Sequence, residues 1–176
     1  MTGKWFDIRT GIGGGHTISG RIDRVSSVPS EVLPGSDIVI WCGPVVATKD
    51  AFALIAPHVQ PTGSHTPYVG CLFAQGCIHL LAKKMLGSQV PFFAFQSIPW
   101  LCRTLSAGKA SEIVGRKDYA NIACHRVNFI WLRRALEPCL VSPSILFSEI
   151  SSRFFFFFFF FFFFFVILCL WFLFLQ

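Results

Sequence analysis

The sequence predicts an α/β fold, a partial doubly wound parallel sheet, and three observations carry that expectation. Continuous apolar, β-rich runs recur at residues 38–42, 68–73 and 90–95. The first two lead through glycine-containing loops into segments of helical periodicity. Runs that stay apolar without alternating suit parallel strands covered on both faces, and strands alternating with helices imply a mostly parallel sheet.

Upstream of Asp37 the signals are thin, and residues 1–20 read as a disordered or loop segment. Gly11-Ile12-Gly13-Gly14-Gly15-His16 invites comparison with the G-x-G-x-x-G turn that presents backbone N–H groups to a pyrophosphate. The context is wrong for it. Residues 5–10 carry Asp7 and Arg9 where an apolar strand belongs, and Ile18-Ser19-Gly20 breaks any helix within a turn. A flexible or hairpin loop is expected instead. Residues 21–26 form a weak strand and Ser30-Glu31-Val32-Leu33 a capped turn, which leaves too little chain for a βαβ unit of roughly thirty residues.

Gly35-Ser36-Asp37 turns into the first strong strand, which Gly43-Pro44 ends. Thr48 is placed to cap the following helix, with Asp50 in its first turn and Phe52, Leu54, Ile55 and Val59 on its apolar face. In the second unit, Gln75-Gly76 is the loop and residues 77–86 are the helix, stopped by Gly87. Its Ile78, Leu81 and Leu86 face the core and Lys83-Lys84 face water. Phe92, Phe93 and Phe95 mark the third strand, residues 112–114 a short fourth, and residues 119–140 show mixed helical periodicity broken near Pro138.

The tail is a separate matter. Residues 154–175 contain no charged side chain, and twelve consecutive phenylalanines from Phe154 to Phe165 open them. As a helix these residues would extend about 33 Å, enough to cross a bilayer, and an apolar helix is the element expected there. One reading is a C-terminal single-pass anchor, with Arg153 holding the main segment on the cytoplasmic side. The other is a gene-model artefact, a thymine tract translated as phenylalanine. The second is preferred, because natural spans mix residue types and a phenylalanine homopolymer is β-prone and sticky.

A formal charge of +6 raises the question of nucleic acid. The basic residues, however, are dispersed singles and pairs (Lys83-Lys84, Arg116-Lys117, Arg133-Arg134), not a stripe, and no nucleic-acid motif accompanies them. Seven scattered cysteines without a C-x-x-C pair indicate neither a disulfide framework nor a zinc ribbon, and suit a reducing compartment. The N-terminus lacks the apolar stretch of a cleaved signal peptide.

The densest chemistry lies at Gln96-Ser97-Ile98-Pro99-Trp100-Leu101-Cys102-Arg103, just after the third strand, at the end of an open α/β sheet where ligands sit. Arg103 beside Cys102 favours a thiolate or holds a carboxylate, and Trp100 offers an apolar wall. The commoner role of a lone thiol is packing, and no His–Asp or His–Asn partner can be placed for a thiol hydrolase. Gln75 offers donor and acceptor to a ligand, or simply belongs to a helix-capping loop. Cys71, Cys77 and His79 match no common zinc spacing, so no metal site is expected. His58 and His125 fall on helical stretches and read as structural.

In order, Gly35-Ser36-Asp37-Ile38-Val39-Ile40, Gly43-Pro44, Ile55-Ala56-Pro57-His58-Val59, Ala74-Gln75-Gly76, Ile98-Pro99-Trp100-Leu101-Cys102-Arg103 and Glu112-Ile113-Val114-Gly115-Arg116-Lys117 resemble the opine dehydrogenases, the octopine type above all. The likeness spans residues 21–140, and P-W-x-C-R is its most specific part. It implies a Rossmann-like NAD-binding domain over residues 21–150, with NAD(P)H as cofactor and pyruvate and an amino acid as small-molecule substrates. It further implies Gly43 and Pro44 at the cofactor crevice, with Gln75, Ser97 and Cys102 on the substrate side; Ser97 stands where the family has threonine and keeps the hydroxyl. No catalytic residue is carried over. The family's glycine fingerprint and its catalytic second domain have no counterpart in the sequence, so the chain is expected to be an incomplete domain, inactive as it stands. The family is cytoplasmic. The alternatives are a tail-anchored membrane protein with an α/β binding module, and a non-functional gene product.

Overall fold

The apolar runs build the centre of a five-stranded sheet whose two faces are both covered. The computed structural model describes residues 2–10, 15, 17–63, 65–74, 76–137 and 146–151. Its elements in order are β1 (Thr2–Thr10), β2 (Thr17–Arg24), α1 (Pro29–Val32), β3 (Ile38–Trp41), α2 (Thr48–Ile55), β4 (Tyr68–Cys71), α3 (Ile78–Leu86), β5 (Phe92–Phe95), β6 (Trp100–Ser106), β7 (Ala110–Arg116), β8 (Tyr119–His125), α4 (Phe129–Leu136) and β9 (Leu146–Ser151). Short 3-10 turns at Val45–Ala47 and Ala56–His58 flank α2.

The main sheet runs β3-β4-β5-β8-β9, with β3, β4 and β5 parallel as expected. Alternate residues feed opposite faces, the period of two that a strand imposes. Val39, Trp41, Val69, Cys71, Phe92 and Ala94 meet Phe52 of α2 and Ala82 and Leu86 of α3 on one side. Ile38, Ile40, Tyr68, Phe93 and Phe95 meet Leu132 and Leu136 of α4 on the other. Helices on both faces make the sheet doubly wound, and explain why these strands are apolar without alternation. Gly70 has a packing reason: a Cβ there would lie 2.2 Å from Cζ of the fully buried Phe93 ring.

Several expectations are corrected. Residues 119–140 were expected to be helical, but β8 occupies the first seven of them and pairs antiparallel with β5 before α4 begins. The controlling signal is the alternation Ala120, Ile122, both buried, with Asn121 and Ala123 between. The sheet is therefore mixed, since β9 in turn runs parallel to β8. Thr48 does not cap α2; the 3-10 turn runs straight into the helix, leaving Thr48 already helical and buried, with Ala47 at the cap position. His125 ends a strand and His58 lies in a 3-10 turn, so neither sits on an α-helix.

The expected loop over residues 1–20 is instead a hairpin that extends through β2. β1 and β2 pair antiparallel from Thr2↔Arg24 to Arg9↔Thr17, and Ser19 Oγ donates to Asp7 Oδ1 at 2.6 Å across the register pair. Of the glycine run between them in sequence, Gly11, Gly13 and Gly14 lie outside the described residues. β1 also pairs parallel with β7, giving a second sheet of order β2-β1-β7-β6. No continuous apolar run in the sequence marks β1 or β2 of this sheet. The poly-phenylalanine segment, residues 154–175, lies outside the described residues. Among the described residues, no helix is long and apolar enough to cross a membrane.

Candidate substrate cleft at the carboxyl edge of the sheet

The strand β5 ends at Phe95, and the chain then makes a short link into the β6–β7 hairpin. Gln96 N donates to Asn121 O at 2.9 Å, and Asn121 Nδ2 donates to Gln96 Oε1 at 2.6 Å, so the link is tied to β8 twice. Pro99 is fully buried. Lys117 N donates to Pro99 O at 2.9 Å, and Trp100 faces Arg116 in the register. These bonds bring the end of β7 back over the carboxyl ends of β4 and β5.

Between them lies an open cleft of about 470 Å³, lined by Phe73, Ser97, Ile98, Pro99, Trp100, Leu101, Gly115, Arg116 and Lys117. Phe73 follows β4 and Ser97 follows β5, so the cleft occupies the edge at which open α/β sheets bind ligands. Its character is mixed. Aromatic and aliphatic walls surround one hydroxyl and two cations, and neither Arg116 nor Lys117 forms an ion pair among the described residues.

Of the residues expected to form the site, Ser97 lines this cleft. Cys102 does not: it lies on β6 opposite Ile113, past a register shift that separates it from Leu101. Partial burial raises the Cys102 thiol above its ordinary value, the direction opposite to a thiolate favoured by Arg103. Gln75 lies outside the described residues. Gly43 and Pro44 follow β3 at the same edge of the sheet but do not line the cleft. Arg116 and Lys117 were missed as site residues. The available signal was a basic pair directly after a short strand and Gly115, one of three basic pairs in the sequence.

A glycine turn between strand and helix is what a dinucleotide's pyrophosphate requires. After β3, the space beside Gly43 is taken by the Trp41 indole, whose ring atoms would stand 2.2–2.8 Å from a Cβ built there. The Trp41 Nε1 donor is itself buried without a partner. In sequence the G-x-G run falls between two strands, β1 and β2, and the next element after β2 is α1 at Pro29–Val32. The described residues therefore do not fit a pyrophosphate, and no hydride step is derived from them.

Two other clefts are chemically less suited to a substrate. One of about 20 Å³, the size of a single water, has His79, Cys124 and His125 in its wall. The His79 pKa is lowered by partial burial and then by the neighbouring His125. No group of three His, Cys, Asp or Glu is positioned to hold a metal among the described residues. The other, of about 280 Å³, lies at the amino ends of β3 and β4, where His65 Nε2 is 3.1 Å from Ser36 O.

No protein-family model matches the chain. Among curated proteins, the opine dehydrogenase of Haliotis discus hannai is 29% identical over 98 residues, covering 53% of this chain and 23% of that protein. The octopine dehydrogenase of Pecten maximus is 28% identical over 104 residues, 57% of this chain and 25% of that protein. The tauropine dehydrogenase of Arabella iricolor is 30% identical over 96 residues, 53% of this chain and 23% of that protein. Among solved structures, octopine dehydrogenase with NADH and pyruvate superposes with a TM-score of 0.71 at 20% identity, over 83% of this chain and 38% of that one. A ketopantoate reductase of Ralstonia eutropha gives 0.53 at 13% identity, over 82% of this chain and 42% of that one. The structural matches support the Rossmann-like fold, and the chain spans about a quarter of the length of the curated relatives it matches. In sequence this chain is similar to the opine dehydrogenases, over about a quarter of their length, and its described residues share their Rossmann-like fold.

Proposed function

We propose that the chain supplies the substrate side of an opine-dehydrogenase-type oxidoreductase, which joins pyruvate to an amino acid and reduces the resulting imine with NAD(P)H. The observation that carries this reading is the cleft at the carboxyl edge of the parallel strands, with Ser97 and Trp100 in its wall. The Ser97 hydroxyl would donate to a substrate oxygen, and Trp100 with Phe73 would exclude water from one side of it. Gln75 and Cys102 are carried over as further substrate-side residues, and Gly43 and Pro44 as neighbours of the cofactor.

The pyrophosphate of that cofactor would be held by parts of such an enzyme other than the described residues, because the Trp41 indole fills the space beside Gly43 after β3. The chain by itself is therefore expected to bind NADH weakly and to turn over none. Titration of the 176-residue chain against NADH, followed by nicotinamide fluorescence, tests this directly. A millimolar or weaker dissociation constant is expected. A low-micromolar constant, or oxidation of NADH in the presence of pyruvate and L-arginine, would mean that the glycine run has been misjudged.

A further inference from the structure

We propose that Arg116 and Lys117 form the anion-holding end of the cleft and that they grip the carboxylate of a small organic acid. The proposal deepens the oxidoreductase reading, on which it rests for naming an α-keto acid as the ligand. The geometry behind it is independent of any glycine motif or cofactor.

Three observations bear on it. Both residues line the cleft, although they stand at consecutive positions where β7 gives out, and consecutive strand residues ordinarily point to opposite faces. The strand ends at Arg116, and Lys117 N donates to Pro99 O just beyond it, so both residues border the same space. Second, both cations are exposed and unpaired by any carboxylate among the described residues, including the adjacent Asp118. A cation already held by a carboxylate would have to surrender that partner to a ligand. Third, the rest of the wall is apolar except for Ser97, so an anion held here has an apolar surface against its organic part.

The pairing of residue types also suits a carboxylate. A guanidinium offers a planar fork that matches two carboxylate oxygens, whereas an ammonium contributes a compact charge free to swing. With Ser97 as a third donor, the cleft presents donors to both oxygens and to a neighbouring carbonyl. That is the donor requirement of an α-keto acid. A divalent inorganic anion would meet the two cations equally well, but would gain nothing from Trp100, Phe73 or Ile98.

The test is calorimetric titration of the full chain with pyruvate, in the absence of NADH. Pyruvate is expected to bind, whereas pyruvamide, which has the same shape without the charge, is expected not to. Arg116→Gln and Lys117→Gln should each weaken pyruvate about five-fold, the upper range for one exposed charge pair. Lys117→Arg should restore most of the affinity, and Lys83→Gln, a cation outside the cleft, should change nothing. Circular dichroism of each variant separates lost binding from lost folding. Equal affinity for pyruvate and pyruvamide, no pyruvate binding by the folded chain, or inorganic phosphate bound as tightly as pyruvate would each overturn the proposal. Because NADH is absent, failure here is distinct from failure of the oxidoreductase reading, which the fluorescence titration reports.

Discussion

Gly70 lies under the Phe93 ring in the middle of the sheet, and Gly70→Ala asks how much that contact constrains the core. A Cβ at this position would lie 2.2, 2.4 and 2.6 Å from three ring atoms of Phe93. Ordinary carbon contact is about 3.5 Å or more, so the ring would have to retreat by more than about 1 Å. It has little room: Phe93 is fully buried, and the Phe95 ring packs edge-on with its centroid 6.2 Å away. Overpacking of this kind costs about 1–3 kcal/mol. For a chain of this size, a loss of about 2 kcal/mol lowers the melting temperature by roughly 6 °C. Urea unfolding followed by circular dichroism measures it, with Gly20→Ala as the control, since nothing lies within 4 Å of a Cβ at Gly20. The control should stay within about 0.5 kcal/mol of the parent. Phe93→Leu in the Gly70→Ala background should recover at least about 1 kcal/mol relative to additivity. A Gly70→Ala protein as stable as the parent, or strictly additive behaviour in the pair, would refute the packing argument.

Three further outcomes follow from single contacts. Burial, and then the charge of neighbouring Cys42, push the Cys71 thiol up to about 12, so iodoacetamide at pH 8 should label exposed Cys77 and spare Cys71 in the folded chain. The folded-state value exceeds the unfolded one, so the stability linked to Cys71 is intact below about pH 9 and is lost as pH rises towards 12. Urea midpoints at pH 8 and pH 10.5, compared between parent and Cys71→Ala, should show the parent losing more. Asn128 Oδ1 accepts from Trp131 N at 3.1 Å at the start of α4, so Asn128→Ala should cost about 1 kcal/mol in the same unfolding assay, and Asn128→Asp should retain most of it.

How much the sequence discloses depends on how each element is buried. β3, β4 and β5 are covered on both faces, so their apolar runs read directly as parallel strands. Gly87 likewise reads as the stop of α3, and has a φ of +96° there. β1 and β2 are different: β2 is exposed along its whole length, so Arg21, Asp23 and Arg24 stand where an apolar pattern would have marked a strand, as do the exposed Asp7 and Arg9 in β1. β8 was mistaken for helix because its buried residues include small Ala120, and three alternating positions are too few to decide the period. The cleft divides along similar lines. Ser97, in the polar stretch just past β5, is carried over from the family resemblance, whereas Arg116 and Lys117 reach the same space through the pairing of Trp100 with Arg116, which no local pattern records.

The most direct measurement of the account is the map of pyruvate-induced amide shifts on the ¹⁵N-labelled 176-residue chain. The proposed substrate cleft lies at the carboxyl edge of β4 and β5, so shifts should gather at Ser97, Ile98, Trp100, Leu101, Gly115, Arg116 and Lys117. The cleft at the opposite end, around Ser36, Gln60 and His65, should remain still. Shifts centred on that opposite cleft, or none at saturating pyruvate, would contradict the assignment of the carboxyl edge as the substrate side.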